Sequence, residues 1–457
     1  MHYPIQLSDF RSHRTQKEGV GLSRIVQLLF ENRRATQNSR VIDHRVFIVG
    51  SVWVEPHSSA AGSRMLQLIQ FFLAQKWKVF FGTAAIKGRH SLDLRSYGVH
   101  ELTIEPNNST FDLLIQKIKP TIVLFDRFVM EEQFGWRVAE NCPDALRILD
   151  TEDLHCLRKT RHEAIKKQIA FTEERLMASE ITKREIASIY RCDLSLIISR
   201  FEMKLLKETF KIQESLLCHL PFFLTPVSEK RQVNWPSYED RKHFVFIGNF
   251  LHAPNLDAAL MLKRELWRRI RPQIPDTQLH IYGAYPNQQI RELHNVKEHF
   301  YVHGFTESAT DMLEHARVLL APLRFGAGIK GKLTDAMQCG TPSVTTNIGA
   351  EGMCDGISWS GFIADDWEKF ARSAVLLYSQ KKVWLQAQQN GTDIINNLFV
   401  AEKGHTKLLL RIEESIGNLS KLRSLNFIGQ LLHYHTAKST KFLSKWIEEK
   451  KGGSPKN

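Results

Sequence analysis

The sequence has few cysteines and no long apolar segment. Its six cysteines are scattered along 457 residues, without a CxxC pair or the spacing of metal ligands. A disulfide framework and a metal site are therefore not predicted. No apolar run is long enough to span a bilayer, and the first residues lack the apolar core of a signal peptide. We expect free thiols in a reducing compartment and a cytoplasmic protein.

Acidic residues are outnumbered by basic ones. Asp and Glu number 49 against 62 Lys and Arg, a formal net charge of +13. From Lys421 to the end, eight basic and two acidic residues leave +6. Such charge suits nucleic acid, an anionic membrane or a phosphorylated small molecule, but no zinc-finger, RNP-like or basic-zipper pattern supports nucleic acid. The tail, with Phe442 and Trp446, is interpreted either as a solvated helix face or as a peripheral membrane contact.

Short β-branched runs alternate with helical stretches, which predicts an α/β fold of two doubly wound, Rossmann-like domains with parallel sheets. HRVFIVG, WKVFFG, PTIVLFD and LSLIIS mark strands of the first domain, and FVFIGN, QLHIYG, VLLAPL and SVTT mark those of the second. A charged stretch from Leu157 to Arg191 is predicted as one long helical region. The predicted parts are an N-terminal extension 1–40, a first domain 41–220, a linker 221–242, a second domain 243–400 and a helical segment with the basic tail 401–457. Two such domains leave a cleft at the carboxyl ends of both sheets.

A glycine-rich loop follows the run VLLAPL in the second domain and reads RFGAGIKGKLTD. Glycines allow a positive φ and close approach of a ligand, and the amides of the helix start near Lys332 favour an anion. The lysines add charge, and Asp335, one turn later, is suited to accept hydrogen bonds from a ribose. The loop therefore predicts a nucleotide-diphosphate site.

The spacing of the residues in this loop argues against two commoner nucleotide-binding motifs. It is not the P-loop pattern, because leucine follows Lys332, and its fit to GxGxxG is a weak signal so late in a domain. A glycine-rich loop that only turns a tight corner is the alternative, and the loop alone does not decide between the two.

Further segments resemble one family in order. FVFIGNFLHAPNLDAALML, LHIYGAYP, VHGF and ARVLLAPLRFGAGIKGKLTDAMQCGTPSVTTNIGAEGM resemble the nucleotide-sugar domain of the GT-B glycosyltransferases, specifically the retaining family four, the glycosyl transferases group 1. RILDTEDLHCLR and RCDLSLIISRFE resemble segments of the acceptor-side domain. The resemblance implies a GT-B fold and transfer of a sugar from a nucleotide-diphosphate sugar, the donor substrate, with no cofactor and no metal.

The resemblance also implies roles for individual residues. Asp335 stands where the family has the last acid of its Glu-x7-Glu motif, which holds the donor ribose. His155 stands where many relatives have a histidine that touches the transferred sugar. Glu351 follows the strand SVTT and is predicted to point into the cleft, toward sugar hydroxyls. The implied catalytic residues are thus His155 and Glu351, and the implied donor-binding residues are Gly248, Arg324, Gly326, Gly328, Lys330, Lys332 and Asp335.

The sequence departs from the family at three places. The closing acid of the motif, Asp335, is an aspartate, which is one methylene shorter than glutamate. Ala327 stands where the family has its first glutamate, which contacts the donor sugar. Asn249, Phe250 and His252 follow the first strand of the donor domain, where many members carry an arginine and a lysine. Diphosphate charge would then be neutralised by Arg324, Lys330 and Lys332.

We therefore expect a glycosyltransferase that uses a nucleotide sugar and an unidentified acceptor, either a glycan, a lipid-linked molecule or a protein. One alternative is a catalytically degenerate protein that binds a nucleotide sugar or acts as a scaffold. An epimerase on the same fold would need paired carboxylates for elimination, and the sequence shows no such cluster. A nearby carboxylate is expected to raise the pKa of His155, while Asp126 and Arg127 are predicted to form a structural pair.

Overall fold

The structure, a computed structural model, describes residues 44–434. The predicted extension 1–40 and the tail residues Phe442 and Trp446 lie outside the described residues. In the described part no helix is long and apolar enough to cross a membrane.

The first domain is a seven-stranded parallel sheet in the order β3-β2-β1-β4-β5-β6-β7. Its strands are β1 (Arg45–Gly50), β2 (Lys78–Thr83), β3 (His100–Thr103), β4 (Ile122–Asp126), β5 (Leu146–Asp150), β6 (Leu194–Ile197) and β7 (Leu217–His219). Its helices are α1 (Ala60–Ala74), α2 (Thr110–Ile118), α3 (Phe128–Asn141), α4 (His155–Lys167), α5 (Glu173–Ala178), α6 (Glu180–Arg191) and α7 (Arg200–Glu208).

Both faces of this sheet are buried, as the continuous apolar strands predict. Phe47 and Val49 point to one core and Val46 and Ile48 to the other, which is the two-residue period of a strand. The α/β prediction is confirmed for this domain.

The predicted single helical region from Leu157 to Arg191 is wrong, because the structure divides it into α4, α5 and α6. Gln168 takes a left-handed conformation (φ 54°) that ends α4. Thr172 then starts a new helix, since its hydroxyl accepts a hydrogen bond from the amide of Arg175.

The second domain is a six-stranded parallel sheet in the order β10-β9-β8-β11-β12-β13. Its strands are β8 (Lys242–Ile247), β9 (Leu279–Tyr282), β10 (Phe300–Gly304), β11 (Ala316–Ala321), β12 (Ser343–Thr345) and β13 (Gly361–Ile363). Its helices, with α8 (Glu229–Val233) of the linker, are α9 (Ala253–Met261), α10 (Trp267–Ile270), α11 (Gln288–Arg291), α12 (Ala309–His315), α13 (Gly331–Gln338), α14 (Asn347–Ala350), α15 (Trp367–Ser379) and α16 (Lys381–Leu398). A π-helical turn joins α9 to α10.

The chain crosses between the domains twice. The linker carries it from β7 to β8, and it returns after α16 into α17 (Ala401–Gly417). Leu408 and Ile412 of α17 belong to the core on one face of the first sheet. The two crossings meet, because the Leu224 amide donates to the Phe399 carbonyl (2.8 Å) and the Ala401 amide donates to the Leu224 carbonyl (3.0 Å). Two short helices follow, α18 (Leu419–Leu425) and α19 (Phe427–His433).

Candidate functional site

Each sheet has a point where the strand order reverses, and the predicted donor site lies at the one in the second sheet. There β8 and β11 are neighbours whose following connections run in opposite directions. Gly248 follows β8, and the glycine-rich loop connects β11 to α13. Ligands of open α/β sheets bind at such reversal points, at the carboxyl ends of the strands.

The two lysines of the loop are hydrated poorly and have no ion-pair partner among the described residues. The Lys332 ammonium donates to the Asn255 side-chain oxygen (2.5 Å) and lies 4.4 Å from the centre of the Phe246 ring. The Lys330 ammonium is buried and donates to the carbonyl of Gly328 (2.7 Å). Burial lowers the pKa of Lys332 to about 7 and that of Lys330 to about 8. An anion placed here would restore the protonated forms.

Asp335 lies on α13, one turn after Lys332, as the sequence predicts. The residue is exposed, and the described residues donate no hydrogen bond to its carboxylate. Protein on its other sides removes enough hydration to raise the pKa of Asp335 to about 7, against the opposing effect of Lys332. An open carboxylate without a partner is free to accept hydrogen bonds from a ligand.

Gly248 and Asn255 lie close together beside these lysines. A Cβ on Gly248 would be 2.6 Å from the Asn255 side chain, so glycine is required for this contact. Asn255 in turn donates to the Asn249 carbonyl (2.8 Å), which fixes its oxygen toward Lys332. Asn255 is a residue that the sequence analysis missed.

The glycines of the loop serve contacts with the first domain as well as backbone freedom. Gly328 has φ 65°, and a Cβ there would lie 2.9 Å from the Asp153 Cβ. Position 331 requires glycine because of close packing: a Cβ there would lie 2.7 Å from the Cβ of Ala60 at the start of α1. Ala327 is buried among the apolar residues of the first domain. A glutamate at position 327 would place its charge in this apolar core.

Helix α4 holds the loop from the opposite side of the cleft. Arg161 donates to both Glu351 oxygens (2.7 and 2.8 Å) and to the Gly326 carbonyl (2.9 Å). His162 stacks on Phe325 with ring centres 4.2 Å apart. Glu351 therefore lies at the cleft, as predicted, and each oxygen of its carboxylate accepts a hydrogen bond from Arg161. Sequence analysis missed Arg161 and His162. Only His162 has a helical signal, because its spacing of seven from His155 puts the two histidines on one side of α4.

Glu202 joins the same contact from α7. One of its carboxylate oxygens accepts hydrogen bonds from the Gly328 amide (2.8 Å) and the Leu154 amide (2.9 Å). Burial raises the pKa of Glu202 to about 8, while these two donors oppose the shift. A buried carboxyl of the first domain thus occupies one amide of the predicted phosphate loop.

His155 lies in the cleft region, but the expectation that its acidic neighbour raises its pKa is wrong, while its contact with the transferred sugar stays a prediction. It begins α4 rather than lying on a loop, and its Nε2 is 3.4 Å from Asp153. Burial lowers the pKa of His155 to about 3, which outweighs the attraction of Asp153. Asp153 is also neutralised by Arg158 at 2.7 and 3.2 Å. His155 is therefore neutral at physiological pH and can only contact a ligand as an uncharged imidazole.

Arg324, which was predicted to bind the diphosphate, is paired with a carboxylate of the protein. Arg324 forms a two-point ion pair with Asp257 of α9, with Nε 2.9 Å from one carboxylate oxygen. This pairing leaves Lys330 and Lys332 as the unpaired cations of the loop. The predicted pair of Asp126 and Arg127 is confirmed, at 3.3 Å.

Direct contacts also join the domains at the outer edge of the cleft. Tyr285 donates to the Glu55 carboxylate, whose oxygens lie 2.9 and 3.0 Å away. His90 stacks on Phe305 with ring centres 4.0 Å apart. The structure therefore shows the cleft bridged both at the glycine loop and at its outer edge.

Comparisons with known proteins show which families and folds this chain is similar to. Residues 241–380 match the sequence family described as Glycosyl transferases group 1. Sucrose-phosphate synthase from Thermosynechococcus elongatus is similar in structure, with a TM-score of 0.61, 17% identity, and coverage of 82% of this chain and 99% of that chain. The chain has the GT-B fold.

Two further GT-B structures are similar over most of their length. TarM of S. aureus, solved with UDP, has a TM-score of 0.62 at 10% identity, covering 80% of this chain and 99% of that chain. HepE of Anabaena, in complex with UDP and glucose, has a TM-score of 0.58 at 11% identity, with the same coverage. No curated protein matches the sequence. The predicted GT-B fold and the family resemblance are confirmed.

Proposed function

We propose that this GT-B protein transfers a sugar from a nucleotide-diphosphate sugar to an acceptor hydroxyl. The observation that carries the proposal is the set of unpaired charges at the reversal point of the second sheet. Two lysines without ion-pair partners suit a diphosphate, and the open carboxylate of Asp335 suits a ribose. The match of residues 241–380 to the group 1 family and the UDP-bound relatives support the same ligand class.

The protein's residues would act by positioning and charge stabilisation. Lys330 and Lys332 neutralise the diphosphate, whose negative charge grows as the bond to the sugar breaks. The leaving diphosphate then accepts the proton of the acceptor hydroxyl, so the acceptor attacks from the same face and configuration is retained. No metal is assigned to this step, because the two ammonium groups and the amides at the start of α13 supply the positive charge. Contacts across the cleft exclude water.

In this proposal neither His155 nor Glu351 transfers a proton. The neutral imidazole of His155 is suited to a hydrogen bond with a hydroxyl of the transferred sugar. Glu351, held by Arg161, fixes the loop that carries the lysines and is a positioning residue in the conformation described. The acceptor itself, whether glycan, lipid-linked molecule or protein, is left open by this proposal.

The experiment is a thermal-shift screen against a panel of nucleotide-diphosphate sugars, followed by an assay of nucleoside diphosphate release. One donor should stabilise the wild type, and Asp335→Asn should reduce that shift by the loss of its ribose contact. Asp276→Asn, which changes an exposed aspartate elsewhere in the second domain, is the matched control and should behave as wild type. No shift with any donor would contradict the proposed site.

A second function is favoured by one observation. Ala327 is buried against the first domain where relatives of the group 1 type are expected to have a sugar-binding glutamate. A protein that binds a nucleotide sugar without transferring it would show the same thermal shift, with sensitivity to Asp335→Asn. Such a protein would release no nucleoside diphosphate above the uncatalysed rate, whether water or an added acceptor were available to take the sugar.

A further inference from the structure

Helices α18 and α19 expose an unusual concentration of apolar side chains. Between positions 425 and 434, five large apolar residues are exposed by 48% to 74%. We call this set the apolar face, and its members are Leu425, Phe427, Ile428, Leu431 and Tyr434. Four of them, from Phe427 onward, follow at spacings of one, four and seven residues, so they lie along one side of α19.

The opposite side of these helices is fixed to the first domain. Arg423 donates to both Asp193 oxygens (2.7 and 2.8 Å) and to the Ala145 carbonyl (2.8 Å). Asn426 donates to the Tyr190 carbonyl (2.7 Å), and a Cβ on Gly429 would lie 2.3 Å from that same oxygen. These polar contacts hold the other side of the two helices against the first domain, so the apolar face points outward. Turning the apolar face inward would break these contacts.

The chain around the apolar face carries charge of one sign. From Ser415 to Ile447 the sequence contains no acidic residue and five basic ones, Lys421, Arg423, Lys438, Lys441 and Lys445. Arg423 is paired with Asp193, so the four lysines supply the excess charge. The sequence beyond the described residues continues with aromatic and apolar residues among these lysines, in KSTKFLSKWI. A segment whose sequence combines apolar and aromatic residues with lysines, and whose described part exposes the apolar face, matches a bilayer interface with anionic headgroups.

We propose that the apolar face docks on a membrane surface that contains anionic phospholipid. A second copy of the chain fits less well, because five side chains on two short helices fall short of the roughly 800 Å² per partner of a stable interface. Like charges on two such surfaces would also repel each other. Docking is independent of the proposed transferase activity and of donor binding.

The docking surface lies away from the cleft. Arg423 binds Ala145 and Asp193, which immediately precede β5 and β6, so the surface is at the amino ends of these strands. The cleft lies at their carboxyl ends. A docked molecule therefore turns its cleft away from the bilayer that holds it.

The test is flotation of the full chain with vesicles of phosphatidylcholine alone or with about one third phosphatidylglycerol. We expect binding to the anionic vesicles that weakens with salt and is much lower on neutral ones. The triple variant Phe427→Gln, Ile428→Gln, Leu431→Gln should reduce the partition coefficient at least tenfold. Glutamine keeps helix propensity, and thermal unfolding of the variant shows whether the fold is retained.

The matched control replaces three exposed apolar helix residues elsewhere, Leu113→Gln, Val233→Gln and Leu385→Gln, and should float as wild type. A further variant, Lys438→Gln with Lys441→Gln and Lys445→Gln, should lose binding by roughly fivefold for each lysine. Wild-type flotation by the apolar-face variant, or equal binding to both vesicle types, would overturn the proposal. So would a wild-type dimer in light scattering that the apolar-face variant dissociates. Nucleotide-sugar shifts on these variants should match wild type whichever result is obtained, which separates this proposal from the proposed function.

Discussion

Asp150 and Asp153 at the carboxyl edge of the first sheet are each paired with an arginine, whereas Lys330 and Lys332 at the same edge of the second sheet are held by neutral oxygens. Arg64 donates to both oxygens of Asp150 at 2.8 to 3.0 Å, and Arg158 binds Asp153 in the same way. Lys332 is held by an amide oxygen and Lys330 by a carbonyl. Paired ions are complete without a ligand. The two desolvated lysines have no ion-pair partner among the described residues, so we expect this edge to be the one that accepts an anion.

The largest effect is expected from Arg64→Met in the paired edge. This change leaves the buried Asp150 carboxylate without its partner, so the free energy of unfolding should fall by about 3–5 kcal/mol. Chemical denaturation measures the loss. Arg95→Met, which removes an exposed pair with Asp93, should leave the free energy of unfolding nearly unchanged. If both variants lost the same small amount, the pairing at this edge would not be structural. Nucleotide affinity of folded Arg64→Met should remain unchanged.

Lys332→Met, at the carboxyl edge of the second sheet, should lower nucleotide affinity and leave stability nearly unchanged. Removal of a charge-assisted contact with diphosphate should weaken nucleotide affinity by about tenfold to a hundredfold, measured by calorimetry. Stability should stay within about 1 kcal/mol of wild type, because a poorly hydrated cation is replaced by an apolar side chain. Lys263→Met, which removes an ion pair with Glu298 in the same domain, is the control for a general loss of positive charge. Unchanged affinity in Lys332→Met would place the diphosphate elsewhere.

Affinity and stability should respond to pH with opposite signs. With a pKa of about 7 for Lys332 and about 8 for Lys330, both lysines lose protons between pH 7 and 9. Affinity for a nucleoside diphosphate should then fall by up to about tenfold per pH unit for each proton that binding must restore.

The unfolded chain keeps these two lysine protons to a pKa near 10.5, so over the same range it holds more protons than the folded state. The lysine contribution to stability therefore rises from pH 7 to 9 and is lost as the pH falls back through 8 and 7. Lys332→Arg, which stays charged, should flatten the affinity profile. A wild-type affinity that is constant across this range would contradict the shifted pKa values.

Glu351→Gln should have the smallest effect and sharpens the assignment of that residue. Arg161 keeps the Gly326 carbonyl and part of its contact to position 351, so stability should fall by about 1–2 kcal/mol. If Glu351 only positions the loop, affinities for a nucleotide sugar and for its nucleoside diphosphate should change by the same factor. A selective loss for the nucleotide sugar would show that Glu351 contacts the sugar. Calorimetry with the two ligands makes the comparison.

The fold could be predicted because its signals are local. Fully apolar strands, single strand-helix units and each of the family-like segments lie within stretches of sequence shorter than about fifty residues. The glycine loop, Lys332 and Asp335 were placed together for the same reason, since they share one loop and one helix. The single-helix prediction for Leu157–Arg191 failed at Gln168, where a left-handed residue ends α4 without a glycine or proline to signal it.

The contacts across the cleft could not be predicted in this way. Glu202 and Gly328 are separated by 126 residues, and Arg161 and Glu351 by 190. At such separations along the sequence, composition does not show which carboxylate and which donor come into contact in the folded chain. His155 illustrates the second difficulty. Its acidic neighbour is visible in the sequence and raises the pKa, but the burial that overrides this effect exists only in the folded chain.

The hydrogen-bonded meeting of the two chain crossings, at Leu224 and Phe399 to Ala401, has a mechanical consequence. A single crossing would allow the domains to twist, tilt and slide independently. Two crossings that are hydrogen-bonded side by side form a hinge of fixed length. Rotation about this hinge is then the relative motion of the domains that costs least free energy. The cleft is then expected to open along one angular path, and each opening must break Arg161 from Glu351 and Tyr285 from Glu55 together. Donor entry and product exit would share that one degree of freedom.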